Sequence, residues 1–163
     1  MLQLSRQQRG TAETINIHQW LVQFREECIA THKLQAYQIQ IQIEPQDIEI
    51  LFDASQLHQV MWNLCSNAIN HSHMENSNIM INLQGAIDSE TAQPYLDIID
   101  NGPGINEDAQ THIFEPFFTT SAEGTGLGLY ITKEVIESNR AKIRHIPPPT
   151  GGTCFRIYFQ HAP

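Results

Sequence analysis

The stretch from Asp53 to His73 constrains this chain more than any other. Leu57, Val60, Met61, Leu64, Cys65, Ala68 and Ile69 recur at three- and four-residue intervals, so a helix would gather them into one stripe that has to be buried against another layer. The spacing predicts a helix over 53–73. Beside the stripe, Asn63, Asn67 and Asn70 stack at i, i+4 and i+7, where Ala, Glu or Lys would suit a helix better. Two readings of that row stay open. It is either a solvated flank or a set of hard, neutral amide oxygens suited to Mg²⁺ in a metal-phosphate site.

The layer that the stripe needs is visible as alternation. Tyr37, Ile39, Ile41 and Ile43 alternate with glutamines, and after Pro45-Gln46-Asp47 the residues Ile48, Ile50 and Phe52 do the same, which reads as a β-hairpin. Residues 79–87 and 95–100 read as two further strands joined by the polar segment 88–93. Residues 141–146 and 154–159 read as a last pair, connected by PPPTGG at 147–152. Upstream, Ile15 and Ile17 suggest a short strand. An amphipathic helix over 18–32 follows, carrying Trp20, Leu21, Phe24, Cys28 and Ile29. A third helix carries Leu129, Ile131, Val135 and Ile136 and ends at Asn139, which can take the left-handed cap that usually belongs to glycine.

Three loops carry the chemistry. The strand YLDII ends in DNGPGI, leaving the carboxylate of Asp100 at the lip of a sheet, with Gly102 and Gly104 flanking Pro103 in a sharp turn. That hexapeptide fits an ordinary strand-to-helix connection as well as a ligand-holding turn. A short helical turn near 107–112 leads into IFEPFFTT at 113–120, where Pro116 rules out a continuous helix and Phe114, Phe117 and Phe118 need somewhere to bury. Finally GTGLG, Gly124 to Gly128, runs into the third helix and presents free backbone amides at the positive end of its dipole, a physical site for an anion.

Composition narrows the classes. At 163 residues the chain suits one domain with a real core. A formal charge of -9 argues against a broad nucleic-acid surface. No apolar run is long enough to cross a bilayer, and no signal-peptide pattern is present. Cys28, Cys65 and Cys154 are odd in number and widely spaced, as expected of free thiols in a reducing compartment. His71 and His73 lie two apart and the other histidines are scattered, which is a poor pattern for a structural metal.

In their fixed order, the asparagine-edged helix, DNGPGI, IFEPFFTT and GTGLGL resemble the ATP-binding catalytic domain of bacterial sensor histidine kinases, whose nucleotide fold is shared with gyrase, the ninety-kilodalton heat-shock chaperone and the mismatch-repair ATPases. Within that family, LQLSR and FDASQLHQVMWNL are most similar to the sensor kinases of type IV pilus regulation. The resemblance implies an α+β two-layer sandwich, with a mixed, mostly antiparallel sheet of about five strands on three helices plus a short N-terminal strand. It implies that residues 1–12 are the end of a preceding dimerisation and phosphoacceptor helix with its linker, and that 13–163 are the catalytic domain. ATP and Mg²⁺ are the implied cofactors. Asp100 would accept from the adenine amino group, with Gly102, Gly104 and Ile105 closing around the base and Thr153 nearby. Asn67, with Asn63 one turn before it, would ligate magnesium and serve catalysis, and His71 would lie against the nucleotide. Phe114 and Phe117 would hinge a lid, and Gly124, Thr125, Gly126, Leu127 and Gly128 would approach the phosphates.

The same resemblance implies a reaction and partners. The γ-phosphoryl group would pass to a histidine on a separate two-helix domain of the parent, for relay to a response regulator of the pilus or nitrogen regulator type. The whole would be the cytoplasmic portion of an inner-membrane sensor. No histidine here has the acceptor setting, and His18 lies after the expected place. The chain departs from the family where Asn70 and Ser121 replace expected cations, and where Arg140-Ala141 replaces a Gly-Gly turn. A hydrolysing ATPase or a serine kinase of this fold would want a base where Asn63 stands, and an amide cannot take a proton at neutral pH. A nucleotide-binding or interaction module without kinase activity is the remaining alternative.

Overall fold

A computed structural model describes residues 11–72, 75, 78–119 and 126–163. The elements run β1 (Ala12–Asn16), α1 (Ile17–His32), β2 (Ile39–Ile43), β3 (Glu49–Asp53), α2 (Ala54–Asn70), β4 (Ile81–Ile87), β5 (Pro94–Asp100), α3 (Gly128–Ser138), β6 (Lys142–His145), β7 (Thr153–Tyr158) and β8 (Gln160–His161). Five strands form one sheet in the order β2-β4-β5-β7-β6, with β2 parallel to β4 and the other pairs antiparallel. The three helices pack on this sheet, as the sequence predicts.

The stripe of α2 buries as its spacing requires. Leu57, Val60 and Met61 are fully buried and Leu64, Cys65 and Ile69 nearly so, against Ile39, Ile81, Leu83, Leu96, Ile98 and Ile157 of the sheet. Burying a side chain of this size stabilises the fold by about 1.5–3 kcal/mol, so this seam is what holds the two layers together. The cysteines Cys28, Cys65 and Cys154 are free thiols and all buried.

The expected hairpin of residues 37–43 and 48–52 does not form. β2 pairs with β4 in the large sheet, whereas β3 lies between β1 and β8 in a small antiparallel sheet. A parallel pair needs a long crossover, and β3 with α2 is the crossover from β2 to β4. Alternation reports which side chains face the core; the partner is settled by the connection. Tyr37 is not part of the strand but of a single 3-10 turn, and it is exposed. The N-terminal strand is β1, and Ile17 begins α1 instead of ending it, because the Asn16 side chain caps the helix by accepting from Gln19 N–H at 2.9 Å. The expectation for residues 1–12 falls almost wholly on 1–10, outside the described residues, and Ala12 already belongs to β1.

α3 ends where predicted but by a different device. Arg140, not Asn139, is the left-handed residue, with φ of 58° against -95°. The Asn139 side chain is engaged elsewhere: its Oδ1 accepts from Asp53 N–H at 3.0 Å, and its Nδ2 donates to Gln56 Oε1 at 2.7 Å and to Val135 O at 2.9 Å. One amide thus fastens the end of α3 to the start of α2.

That start is itself capped. Asp53 Oδ1 accepts from the Ser55 hydroxyl at 2.6 Å and from Gln56 N–H at 2.8 Å. Burial would raise the Asp53 carboxyl, but the donors of Ser55 and Gln56 outweigh it and hold the group below its ordinary 3.8. A carboxyl depressed in the fold contributes stability that is complete above 3.8 and lost as pH falls through the lower folded value. Asp53→Ala should therefore destabilise the domain by about 1 kcal/mol at pH 7, as loss of an N-cap does. In urea unfolding at stepped pH the deficit should shrink in acid, and Asp53→Asn, which still caps, should stay near wild type at pH 7.

Candidate functional site

The site begins with the register of β5 on β7. Asp97 lies opposite Arg156, whose Nε and Nη2 donate to Asp97 Oδ1 at 2.7 Å and Oδ2 at 2.8 Å, and the guanidinium also sits 4.1 Å from the centre of the Tyr95 ring. Three residues along the same register, Asp100 lies opposite Thr153. The bidentate pair thus fixes the alignment that brings Thr153 beside Asp100, since a slip of one residue would turn Asp100 to the other face.

Asp100 Oδ1 accepts from Gly102 N–H at 2.9 Å, folding DNGPGI back on the strand end. Burial raises its carboxyl above the ordinary 3.8, although the backbone donors of Gly102 and Thr153 pull the other way. A carboxylate kept in that condition is poised for a donor that arrives with a ligand. The turn then meets PPPTGG: Gly152, at φ of 82°, lies so close that a Cβ there would stand 2.1 Å from Asp100 O, and a Cβ at Gly104 would stand 2.9 Å from Gly152 O. Any side chain at 152 would force the two loops apart.

α2 supplies the opposite wall. Asn63 Nδ2 donates to Gly128 O at 2.9 Å and to Thr132 Oγ1 at 2.6 Å, tying α2 to the first turn of α3. Asn67 is one turn further along, and His71, whose N–H donates to Asn67 O at 2.9 Å, ends the helix. The asparagine row is therefore no plain solvated flank. Asn63 and Asn67 face a cavity of about 730 Å³, while Asn70 is exposed and not part of its lining.

Between these walls runs the IFEPFFTT segment. Phe114 packs edge-on against Phe155 at 6.0 Å between ring centres, and Phe118 packs on the core. Phe117 does not bury as expected: it is 74% exposed with φ of 67°, because its N–H donates to Gly126 O at 2.9 Å and turns the side chain outward. Gly126 is obligatory there, since a Cβ would stand 2.4 Å from the Phe117 carbonyl carbon.

Of the residues singled out in the sequence, Asn63, Asn67 and His71 line the cavity on one side and Asp100, Gly102, Gly104, Ile105 and Thr153 on the other, with Gly126 and Gly128 between them. Phe114, Phe117 and Leu127 are not part of the lining, and Gly124, Thr125 and Ser121 lie outside the described residues. Sequence reasoning missed several lining residues, Ser72, Asn106, Thr119 and Leu129 among them, and two further groups are instructive. Ile113 and Phe155 form apolar floor, and Phe155 was within reach because it stands two residues after Thr153 on one strand face. Thr132 was not, for nothing in a helical stripe marks a hydroxyl that serves a neighbouring helix.

The site can hold a flat group at the Asp100 end, against glycines and Phe155, and an anion near the start of α3. Among the described lining residues there is neither lysine nor arginine, and Asp100 is the only carboxylate. Among the described residues no helix is long and apolar enough to cross a membrane.

Comparison with known proteins agrees with this geometry. Residues 52–163 match the family described as histidine kinase-, DNA gyrase B-, and HSP90-like ATPase. The sensor protein kinase PilS of Pseudomonas aeruginosa is 38% identical over 161 residues, which is 99% of this chain and 30% of that protein. Sporulation kinase A of Bacillus subtilis is 31% identical over 94% of this chain and 24% of its own length, so the chain spans less than a third of either relative. Among solved structures, the catalytic domain of histidine kinase ThkA superposes with a TM-score of 0.74 at 26% identity, covering 92% of this chain and 95% of that one. The chain belongs to the histidine kinase-, DNA gyrase B- and HSP90-like ATPase family and has the fold of a histidine kinase catalytic domain.

Proposed function

We propose that this chain binds Mg-ATP in the cavity and presents the γ-phosphoryl group to a histidine on a separate two-helix domain of its parent, for relay to a response regulator. The observation that carries the reading is the pairing of a half-buried carboxylate, Asp100, with an asparagine wall across one cavity and a glycine-led helix start beside them. Asp100 selects adenine by accepting from its amino group, and Gly102, Gly104 and Ile105 cover the base. Asn67 and Asn63 offer neutral amide oxygens to the cation. Asn63 fits that role because both hydrogens of its Nδ2 already have acceptors on α3, which leaves Oδ1 free to ligate. Bound Mg²⁺ supplies neutralisation of the phosphate charge.

Where a water-activating base would stand, α2 carries the amide of Asn63, so the site suits positioning for an imidazole acceptor, which needs less help than a hydroxyl. The likeness to a sensor protein kinase and to the sensory histidine kinase/phosphatase NtrB of Vibrio alginolyticus, 34% identical over 95% of this chain and 46% of that protein, supports a sensor kinase as the parent. A second reading, a nucleotide-binding module without kinase activity, is favoured by the absence of lysine and arginine from the described lining.

Transfer in trans tests the choice. The chain alone with Mg-ATP should not label itself, and should label the added two-helix domain of its parent with acid-labile, base-stable phosphate at a rate that rises with acceptor concentration. No transfer by a chain that binds Mg-ATP would establish the module reading, and acid-stable phosphoserine would establish a serine kinase.

Asp100→Asn should weaken ATP binding by roughly ten- to a hundredfold, the cost of losing a hydrogen bond to a charged group. Its thermal midpoint should rise, because a carboxyl raised by burial is ionised at a cost at pH 7 and the amide is not. GTP, which presents a carbonyl where ATP presents a donor, should bind the wild type poorly. Equal affinity for ATP and GTP would remove Asp100 from this role.

A further inference from the structure

We propose that Thr132 is a positioning residue for the cation edge of this site, acting through Asn63. The inference rests on the reading of the cavity as a Mg-ATP site and adds a residue to it. Thr132 is buried, one turn past Gly128 on α3, so its hydroxyl and the Gly128 carbonyl stand side by side toward α2. Asn63 Nδ2 has two hydrogens, and it meets both acceptors, Gly128 O at 2.9 Å and Thr132 Oγ1 at 2.6 Å. A carbonyl can only accept, so it is the nitrogen of Asn63 that faces α3. Flipping the amide would set its oxygen against the Gly128 oxygen, so the carbonyl fixes the flip, and Thr132 as second acceptor fixes the plane of the amide.

With Nδ2 saturated, Oδ1 is the polar atom Asn63 has left for the cavity it lines. Gly128 leaves that oxygen uncrowded, since a Cβ there would stand 3.2 Å from it. Gly128 thus sets which atom of Asn63 faces the cation, and Thr132, by taking the second N–H, sets the direction in which that oxygen is held, although Thr132 is not part of the cavity lining. A merely structural bond between α2 and α3 is the competing explanation. Asn139 already fastens the far end of that helix pair, through Asp53 and Gln56.

Calorimetric titration of ATP into this chain, once with excess Mg²⁺ and once with EDTA, separates the two. Thr132→Val keeps the shape and removes the acceptor; it should weaken ATP binding in Mg²⁺ by roughly five- to tenfold, the worth of one hydrogen bond, and change binding in EDTA by less than about twofold. Thr132→Ser keeps the hydroxyl and should match wild type in both conditions, and thermal unfolding of each variant reports whether the fold is intact. Equal weakening with and without Mg²⁺, or a Ser variant as impaired as Val, would show a structural bond and overturn the proposal. If Asn67→Ala abolishes the gain from Mg²⁺ while Thr132→Val retains it in full, Thr132 loses its role and the Mg-ATP reading stands. A wild type that gains nothing from Mg²⁺ would overturn both.

Discussion

The alignment of β5 with β7 is the constraint on which the site depends. Asp97 and Arg156 form a bidentate pair across these central strands, and Tyr95 stacks on the guanidinium. Both partners are mostly shielded, with 10% of the Asp97 side chain and 25% of the Arg156 side chain exposed, so the pair resists screening better than an open surface bridge. Its consequence appears three residues away, where Asp100 and Thr153 come level and the DNGPGI turn closes over them. The charge pair lies outside the cavity lining, yet it decides where the cavity's own carboxylate points.

The second wall is set by amides instead of charges. Burial of its stripe fixes the rotation of α2 on the sheet and leaves Asn63 and Asn67 at the cavity. α3 is then held to α2 at both ends by asparagine side chains, Asn63 onto Gly128 and Thr132 and Asn139 onto Asp53 and Gln56. Apolar contact alone tolerates sliding between helices. Two amides with fixed donors and acceptors do not, because each slip strands a buried polar group. The helix start that borders the cavity is thereby kept in step with the row of asparagines opposite it.

How much of this was legible before the fold was known follows from what each signal measures. Periodicity reports burial, so the helices and strands were readable, and so was the face of α2 that carries Asn63 and Asn67. Periodicity says nothing of partners, which is why Ile39–Ile43 and Ile48–Phe52 read as a hairpin although the first belongs to the large sheet and the second to the small one. Asn139 was placed correctly as a helix end. Its long-range bonds to Asp53 and Gln56 won over the local left-handed cap, which passed to Arg140. Phe117 follows the same logic: hydrophobicity argues for burial, and a backbone bond to Gly126 overrides it. The β8 strand is two residues long and carries no pattern to detect.

The electrostatics of the cavity set what the proposed Mg-ATP function asks of backbone and cation. The chain carries a formal charge of -9, the described lining contributes Asp100 and no lysine or arginine, and Asn70 stands where the resemblance leads one to expect a cation. A triphosphate entering such a site meets a repulsive field, strongest at low ionic strength where screening is weakest. Under the proposed Mg-ATP function, neutralisation falls to a divalent ion held by uncharged oxygens and to amides at the start of α3, whose dipole is positive at that end. Neutral amide ligands hold a cation less firmly than carboxylates, so they let it arrive and leave with the nucleotide. For a domain with the proposed task of delivering a phosphoryl group and then exchanging ADP for ATP, weak, well-oriented ligands serve better than a tight metal cage.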